Sequence, residues 1–236
     1  MSIKLNCDVG EGLDNEHLLM PYISSCSIAC GGHAGDRGSM QRVADLAVKY
    51  KVGAGAHPSY PDRENFGRES IKMEEGELMK CVQRQVVTLE NVLREKRIPL
   101  HHIKAHGALY NDMARKTDIA EIFLSALISY RERVPLYVPY NSEIAKLAVA
   151  RGFRIIYEAF ADRNYNNDLS LLSRKEKKAV ILDKEKVLRH VLFMAKEGKV
   201  RTSDGSEVKI RADTFCLHGD NAHAVEILKY LYNRLR

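Results

Sequence analysis

The feature that most constrains the fold of this chain is a regular alternation of short apolar runs with longer helical segments. The apolar runs predict β-strands at residues 3–7, 24–30, 52–56, 101–105, 135–139, 153–158 and 213–217. Helical periodicity is clearest at residues 37–50, 74–96, 116–131, 141–151, 184–197 and 221–234. Strands that alternate with helices pair in parallel through right-handed crossovers. This order of strands predicts an α/β fold with a closed or nearly closed barrel rather than an open sheet.

The chain has 236 residues, a length that a single α/β domain accommodates. We therefore expect one barrel domain over residues 1–236 with a hairpin excursion near 199–212, where apolar and polar residues alternate around a turn. The turn after the first strand has neither the dinucleotide fingerprint nor a P-loop, and no P-loop occurs elsewhere. The chain therefore carries no familiar nucleotide-binding motif of its own.

Composition argues against membranes and nucleic acids as partners. No apolar stretch approaches the roughly 18 residues that span a bilayer, and the first residues lack a signal peptide, so we expect a cytoplasmic protein. The formal charge of +6 is spread over helical segments and residues 174–178, without interleaved aromatic residues. That pattern is typical of a solvated surface. The five cysteines fall mostly in apolar runs, and we expect them to be reduced.

Residues with catalytic chemistry follow the apolar runs at the points where these runs end. Four of them are histidines beside glycine or proline turns: His33, His57, His106 and His218. Asp8 ends the first strand in the same way. Because the carboxyl ends of parallel strands meet at one edge of an α/β fold, we expect one shared pocket rimmed by imidazoles and carboxylates.

The first strand places Asn6 and Asp8 on one face. If that face is the barrel interior, Asp8 can act as a general base or bind a metal, whereas the alternative is a helix-capping aspartate. A metal site would use Asp8, His57 and His106, because one carboxylate and two imidazoles leave positions for water. A structural zinc site at Cys26, Cys30 and His33 is less favoured, because alternate strand residues point to opposite sides and a turn separates the histidine.

Lys104 and His106 are two residues apart on a predicted strand, so they face the same side. A lysine directed into a barrel is costly to bury unless it is paired or holds an anion. Beside a general acid or base, it can polarise a carbonyl while a leaving nitrogen is protonated. This segment is therefore the densest candidate for catalysis.

At three later positions a purely structural role stays open as an alternative to a functional one. Arg68 suits a carboxylate but fits a plain surface position equally well. Residues 158–163 carry two carboxylates and an arginine, for which an internal salt bridge is the leading alternative. Asp220 can cap the last helix, which leaves His218 as the better functional candidate there.

Together these segments resemble the LamB/YcsF family. The resemblance is carried by residues 5–11, 20–25, 28–31, 33–36, 55–58, 60–62, 66–68, 106–111, 158–163 and 218–220, in order along nearly the whole chain. Departures affect the shape of the pocket rather than its polar groups: Gly32 stands where phenylalanine is usual, and Arg37 and Ala105 stand where proline is usual. The stretch after Tyr165 also lacks the usual glycine.

The resemblance implies a (β/α)7-type barrel similar to the glycoside hydrolase/deacetylase superfamily. It also implies the A subunit of a bacterial 5-oxoprolinase, which acts with two partner subunits to hydrolyse the lactam of 5-oxoproline to L-glutamate with cleavage of ATP. Since no P-loop is present, we expect the partner subunits to share the handling of ATP. A divalent metal is the other cofactor that the donor residues admit.

We assign expected roles on this basis. In the catalytic set, Asp8 and His106 exchange protons with the attacking water and the departing nitrogen, and Lys104 stabilises an oxyanion or phosphoryl group. The expected substrate-binding residues are Asn6, Glu11, His33, Arg68, Asn111 and His218. Two other functions fit the same residues: a metal-dependent, deacetylase-like C–N hydrolase that needs no ATP, and a non-catalytic subunit that binds the lactam or scaffolds its partners.

Overall fold

A computed structural model of the chain describes residues 3–235, so residues 1, 2 and 236 of the predicted domain lie outside the described part. The strands are β1 (Leu5–Val9), β2 (Ser25–Ala29), β3 (Gly53–His57), β4 (Leu136–Pro139), β5 (Ile155–Phe160), β6 (Lys199–Arg201), β7 (Glu207–Lys209) and β8 (Thr214–Cys216). The helices are α1 (Glu16–Leu19), α2 (Arg37–Tyr50), α3 (Glu75–Glu95), α4 (Gly107–Arg115), α5 (Thr117–Ala126), α6 (Glu143–Ala150), α7 (Lys184–Glu197) and α8 (Ala224–Arg234).

Six parallel strands form one curled sheet in the order β3-β2-β1-β8-β5-β4. The segment around Ile103 lies between the two edge strands, with one parallel bridge to Ala56 and one to Leu136. Its backbone bonds both edges: Ala56 N donates to His102 O at 2.9 Å, and Tyr137 N donates to Ile103 O at 2.9 Å. The strand predicted at 101–105 is therefore only a pair of single bridges, but it occupies the seventh position of the ring. The predicted α/β barrel class is confirmed.

Three helical predictions are corrected by the structure. Residues 107–115 form the separate helix α4, where the sequence pattern suggested only a motif after a strand. The predicted helix 116–131 ends as α5 at Ala126, and a short 3-10 turn, Ile128–Tyr130, follows it. The helix predicted to begin at residue 221 begins at Ala224. All three differences lie at turns, where local hydrogen bonds rather than apolar periodicity set the ends of a helix.

The two faces of the curled sheet have opposite character because successive strand residues point to opposite sides. Apolar side chains such as Cys7, Ile28 and Val138 lie in the main hydrophobic core. The inner face is polar: Asn6, on β1, donates to Thr214 Oγ1 on the neighbouring strand β8 at 2.9 Å. Other inner residues pair in the same way: Ser25 with Tyr137 at 3.1 Å, and Ser27 with His102 at 3.1 Å.

A two-stranded antiparallel hairpin of β6 and β7 lies apart from the barrel sheet. All five cysteines are buried and none is in a disulfide. In the part of the chain that the structure describes, no helix has both the length and the apolar character needed to cross a bilayer.

Candidate functional site

A cavity of about 520 Å³ opens at the carboxyl ends of the barrel strands. Its base is formed by residues at these strand ends, and its wall by the loops that follow β3, β5 and β8 together with the start of α4. The lining includes Asp8, Glu11, His57, Phe66, Arg68, Lys104, His106, Tyr110, Asn111, Phe160, Arg163, Arg174, Lys175, His218 and Asp220. The volume lies within the usual range for small-molecule sites.

Two glycines bring the wall close to the base. Gly67 has φ of +62° and Gly107 has φ of +53°, a left-handed conformation that favours glycine. Ala108 N donates to Gly67 O at 2.9 Å, so the loop after β3 is tied to the first turn of α4. A Cβ at Gly67 would lie 2.9 Å from His33 Cβ and 3.0 Å from His106 Cδ2, so any larger residue would displace both imidazoles.

Lys104 is the charged centre of the base. It is 2% exposed, and its Nζ donates to Asp8 Oδ1 at 2.9 Å and to Asp8 Oδ2 at 3.1 Å. The same ammonium lies 3.0 Å from Glu158 Oε1 and 3.1 Å from Cys216 Sγ. Two acidic groups therefore surround one buried cation.

These neighbours determine the charge states at the base. Burial alone would lower the pKa of Lys104, but the charge of Asp8 and the other acidic neighbours outweighs it and raises the pKa well above its usual value. Burial likewise raises the pKa of a carboxyl, yet His57 and Lys104 hold the pKa of Asp8 well below its usual value. At Glu158 burial prevails over the attraction of Lys104, and the pKa is raised.

His57 and His106 form a pair whose hydrogen bonds cannot all be satisfied by neutral rings. His57 Nδ1 donates to Lys104 O at 2.8 Å, and His106 Nε2 donates to Phe66 O at 2.9 Å, because a carbonyl oxygen only accepts. The remaining nitrogens, His57 Nε2 and His106 Nδ1, face each other at 3.0 Å as two acceptors. A shared proton or a metal ion is needed to relieve the repulsion of their lone pairs.

Carboxylates converge on the same point. His57 Nε2 lies 3.4 Å from Asp8 Oδ2, and His106 Nδ1 lies 3.5 Å from Glu11 Oε1. His33 Nε2 is 3.1 Å from Glu11 Oε1, and its ring stacks on that of His106 with centroids 3.6 Å apart. Burial and the charge of Asp8 raise the pKa of Glu11 to about 7, and burial lowers the pKa of His33 to about 2.

This group fits the donor chemistry of a divalent metal. One ligand atom from each of Glu11, His33, His57 and His106 lies within 4.8 Å of the others. Imidazole and carboxylate donors suit zinc and other first-row metals. The cluster shares His57 and His106 with the predicted metal triad. However, Glu11 and His33 take the place of Asp8 in the cluster. Both carboxylate oxygens of Asp8 already accept hydrogen bonds from Lys104.

A second imidazole–carboxylate unit stands on another part of the wall. His218 Nδ1 donates to Asp162 Oδ1 at 2.8 Å, and Asn221 Nδ2 donates to Asp162 Oδ2 at 2.9 Å. Burial alone would raise the pKa of Asp162, but His218 and the hydrogen bonds lower it. The His218 ring is stacked on Phe160 with centroids 5.2 Å apart. The bond from Nδ1 fixes the orientation of the ring and leaves Nε2 as its other functional atom.

The outer rim of the cavity contains an arginine–aspartate–arginine group. Asp220 Oδ2 accepts from Arg68 Nη2 at 2.7 Å and from Arg174 Nη1 at 2.9 Å. The alternative that Asp220 caps the last helix does not hold, because α8 begins at Ala224 and its N-cap residue is His223. Asp220 therefore binds side chains of the rim instead of helix N–H groups.

The predicted site residues fall into two groups by location. Those that line the cavity are Asp8, Glu11, His57, Arg68, Lys104, His106, Asn111 and His218. Asn6 is fully buried below the base beside Thr214, and His33 is buried behind His106, so neither is part of the lining. The structure thus brings Asp8, Lys104 and His106 together through His57 and the buried ammonium.

Sequence reasoning missed three residues at the site. Glu158 and Asp162 lie in a segment for which an internal salt bridge was the leading alternative. The available signal was their position at the end of a predicted strand and just after it, as for Asp8. Arg174 lies in a charged stretch that was interpreted as solvated surface. No local pattern distinguishes Arg174 from the lysines that follow it.

A family model, curated relatives and a solved structure each match the whole chain or nearly all of it. A model of the LamB/YcsF family matches residues 3–236. A Staphylococcus carnosus protein, named as the A subunit of 5-oxoprolinase, is 40% identical over 240 residues, covering 100% of this chain and 95% of that protein. A Pyrococcus furiosus protein of the same name is 38% identical over 242 residues, with coverage of 100% and 94%. The crystal structure of a lactam utilization protein from Thermus thermophilus superposes with a TM-score of 0.92 at 34% identity, covering 100% of this chain and 96% of that one.

Proposed function

The chain belongs to the LamB/YcsF family, and we propose that it is the lactam-opening subunit of an ATP-dependent 5-oxoprolinase. The reaction converts 5-oxoproline and water to L-glutamate with cleavage of ATP. The names of relatives at about 40% identity support the substrate and the existence of partner subunits. The observation that carries the proposal is the ammonium of Lys104, which is buried at the base of a cavity. Beside it are two pairs of groups that can transfer protons, His57 with His106 and His218 with Asp162.

The chemistry explains why ATP is needed. A five-membered lactam is stabilised by amide resonance, and its open product readily recloses. Transfer of a phosphoryl group from ATP to the amide oxygen ends the amide resonance and makes the former carbonyl carbon electrophilic. Water adds to that carbon, the C–N bond breaks as the nitrogen takes up a proton, and the resulting acyl phosphate is hydrolysed by a second water to the carboxylate and inorganic phosphate. Since this chain contains no P-loop, we assign at least part of the ATP handling to two partner subunits.

Lys104 then serves as a fixed positive charge for the oxyanion or phosphoryl group that forms during attack. Preorganised charge in a site that excludes water stabilises such a transition state strongly. Lys104 and His57 hold the pKa of Asp8 well below its usual value, so Asp8 stays ionised and stabilises the ammonium of Lys104. Protons move along the series Asp8, His57 and His106, in which the facing polar atoms are 3.4 Å and then 3.0 Å apart.

The remaining expected residues receive roles that match their positions. Arg68 holds the carboxylate of the lactam, and Asn111 and Glu11 contact the ring from the wall. His218, oriented by Asp162, protonates the departing nitrogen or contacts it. Asn6 and His33 act through neighbours rather than by contact, since neither lines the cavity.

The test is reconstitution with the partner subunits, followed by measurement of glutamate released from 5-oxoproline with and without ATP. His106→Ala is expected to lower the rate by about 100-fold or more, because it removes one end of the proton path. His17→Ala is the matched control, since His17 is exposed and does not line this cavity. Wild-type rates in His106→Ala would contradict the assigned role, and glutamate release that does not depend on ATP would contradict the proposed reaction.

A second candidate function is a metal-dependent C–N hydrolase that acts without ATP. It is favoured by the facing acceptors His57 Nε2 and His106 Nδ1, which a metal ion would satisfy. Glu11, His33, His57 and His106 would hold the ion, which supplies an activated water when bound. Metal analysis of the purified protein, with hydrolysis measured in chelator and without ATP, separates the two functions. Loss of ATP-independent activity in chelator would favour this second candidate.

A further inference from the structure

The rim group of Arg68, Asp220 and Arg174 contains two guanidiniums and a single carboxylate. Besides the contact at 2.9 Å, Arg174 Nη2 donates to Asp220 Oδ1 at 3.4 Å. Burial alone would raise the pKa of Asp220, but Arg174 and His218 outweigh it and lower the pKa. The ionised aspartate therefore compensates one of the two positive charges. A net positive charge remains at the mouth of the cavity.

Both guanidiniums keep unused donors. Each guanidinium has more N–H groups than Asp220 engages. Among residues 3–235, the structure gives neither guanidinium any hydrogen-bond acceptor other than Asp220. Their side chains are 43% and 32% exposed, so the free donors are accessible to a ligand. Planar guanidiniums with free donors are well suited to bind a carboxylate.

The rim is tied by short chain segments to the reacting groups. Arg68 follows Phe66 by two residues, and the carbonyl of Phe66 accepts from His106 Nε2 at 2.9 Å. The Arg68 guanidinium also lies over the Phe66 ring, 4.9 Å from its centroid. Asp220 follows His218 by two residues. Arg68 and Arg174 line the same cavity as Lys104 and His106, so the rim and the base face one enclosed space.

We propose that Arg174 and Arg68, held together by Asp220, bind the carboxylate of the lactam, and that Arg174 thereby makes the site select carboxylated lactams over the unsubstituted ring. The inference rests on the proposed function and deepens it. It assigns a specificity-determining role to Arg174, which no local sequence pattern singles out. An oxyanion could also reach this rim as a phosphoryl group, and the experiment distinguishes the two.

The experiment is calorimetric titration of the purified chain with 5-oxoproline and with 2-pyrrolidinone, the same ring without the carboxylate. Arg174→Gln is expected to weaken 5-oxoproline binding about tenfold, the effect of losing charge-assisted hydrogen bonds, and to leave 2-pyrrolidinone binding unchanged within about twofold. Arg174→Lys is expected to restore part of the affinity. Lys177→Gln is the matched control, because it removes the same charge from an exposed position of the same loop that does not line the cavity.

The outcomes separate the two levels of the proposal. Unchanged 5-oxoproline binding in Arg174→Gln, or equal weakening for both ligands, would overturn the role of Arg174 alone. So would a variant that loses affinity for inorganic phosphate while keeping that for 5-oxoproline, since the rim would then serve a phosphoryl group. A wild-type chain that binds neither lactam would contradict the proposed function itself. A wild-type chain that binds both lactams equally well would contradict only the carboxylate selectivity.

Discussion

Lys104 is a charged residue whose burial is compensated by specific neighbours rather than by water. Asp8 accepts two hydrogen bonds from it, and Glu158 adds an ion pair at 3.0 Å. Burying charges is costly, and removing one partner of such a group leaves the others uncompensated. The buried group therefore has a cost in stability, which agrees with the proposed role of Lys104 as a fixed cation.

Replacement of Lys104 by methionine is expected to destabilise the fold by about 3–5 kcal/mol at pH 7, because Asp8 and Glu158 lose their cation. Without the ammonium the two carboxyls bind protons more readily in the folded state. The loss in free energy of unfolding relative to wild type should therefore shrink as the pH falls toward about 5. Urea unfolding at both pH values measures this. Lys116→Met, at a half-exposed ion pair, should change stability by less than about 1 kcal/mol.

Gly32 shows how a departure from the family pattern is accommodated. A Cβ at this position would overlap Ser59 Oγ and Gln85 Oε1. Gln85 is 4% exposed, accepts from Ser59 N at 3.0 Å and donates to Ser59 O at 2.8 Å. The space beside Gly32, where the family usually has phenylalanine, is thus occupied by the Gln85 side chain.

Gly32→Ala is expected to destabilise the protein by about 1–3 kcal/mol, the usual cost of overpacking. In the Gln85→Ala background the same substitution should cost less, because the amide that it meets is gone. A double-mutant cycle from denaturant unfolding measures the coupling. Strictly additive costs would show that Gln85 is not what excludes a side chain at residue 32.

At the scale of elements, helices α3 and α4 show what local patterns can and cannot predict. The apolar stripe of α3 includes Leu78, Val82 and Leu89, all buried, and the predicted helix 74–96 differs from Glu75–Glu95 by one residue at each end. In contrast, α4 has few residues and begins at a glycine with positive φ. It forms because tertiary contacts, including the bond from Ala108 N to Gly67 O, hold its first turn.

The start of α6 depends on a buried cap. Ser142 Oγ accepts from Ala145 N at 3.3 Å and donates to Pro139 O at 2.7 Å. Ser142→Ala is expected to cost about 1–2 kcal/mol, since both groups lose a partner that water cannot replace. Ser142→Thr keeps the hydroxyl and should retain most of the stability. Thermal and urea unfolding test this, and equal stability of wild type and Ser142→Ala would contradict it.

At the scale of the whole molecule, the polar interior of the barrel makes stability sensitive to pH. His102 is fully buried, bonded to Ser27 and stacked on Tyr137 with centroids 3.9 Å apart. Burial, with the charges of His101 and Lys104, holds its pKa well below the usual value. The unfolded chain therefore takes up a proton below a pH of about 6.5, while the folded chain does not.

A histidine whose pKa is lower in the folded than in the unfolded state contributes its full share to the free energy of unfolding above the unfolded pKa. That contribution is lost as the pH falls below the unfolded pKa. Between about pH 6.5 and 5 this loss amounts to about 2 kcal/mol for one group. His102→Gln should therefore lose about 2 kcal/mol less than wild type over this interval, although it is less stable at pH 7. His17→Gln, at an exposed position, should leave the slope unchanged. Identical slopes for wild type and His102→Gln, from urea unfolding across this range, would show that His102 is not the source of the pH dependence.

The sequence by itself determined the strand and helix periods, the parallel α/β class and the rim of strand-end residues that carries the chemistry. These are local properties: alternation along strands, apolar stripes on helices and polar residues at turns. Asp8, Lys104 and His106 were predictable because each ends an apolar run, and parallel strands end at one edge.

Only the tertiary structure decided which of these groups meet and what each one touches. The pairing of Glu158 with Lys104, of Asp162 with His218 and of Arg174 with Asp220 joins residues 46 or more positions apart. Hydrogen-bond geometry, burial and the resulting charge states depend on distances across the closed ring, which no local pattern encodes. For the same reason Arg174 could be recognised at the cavity, rather than on the surface, only after the loops had been placed in space.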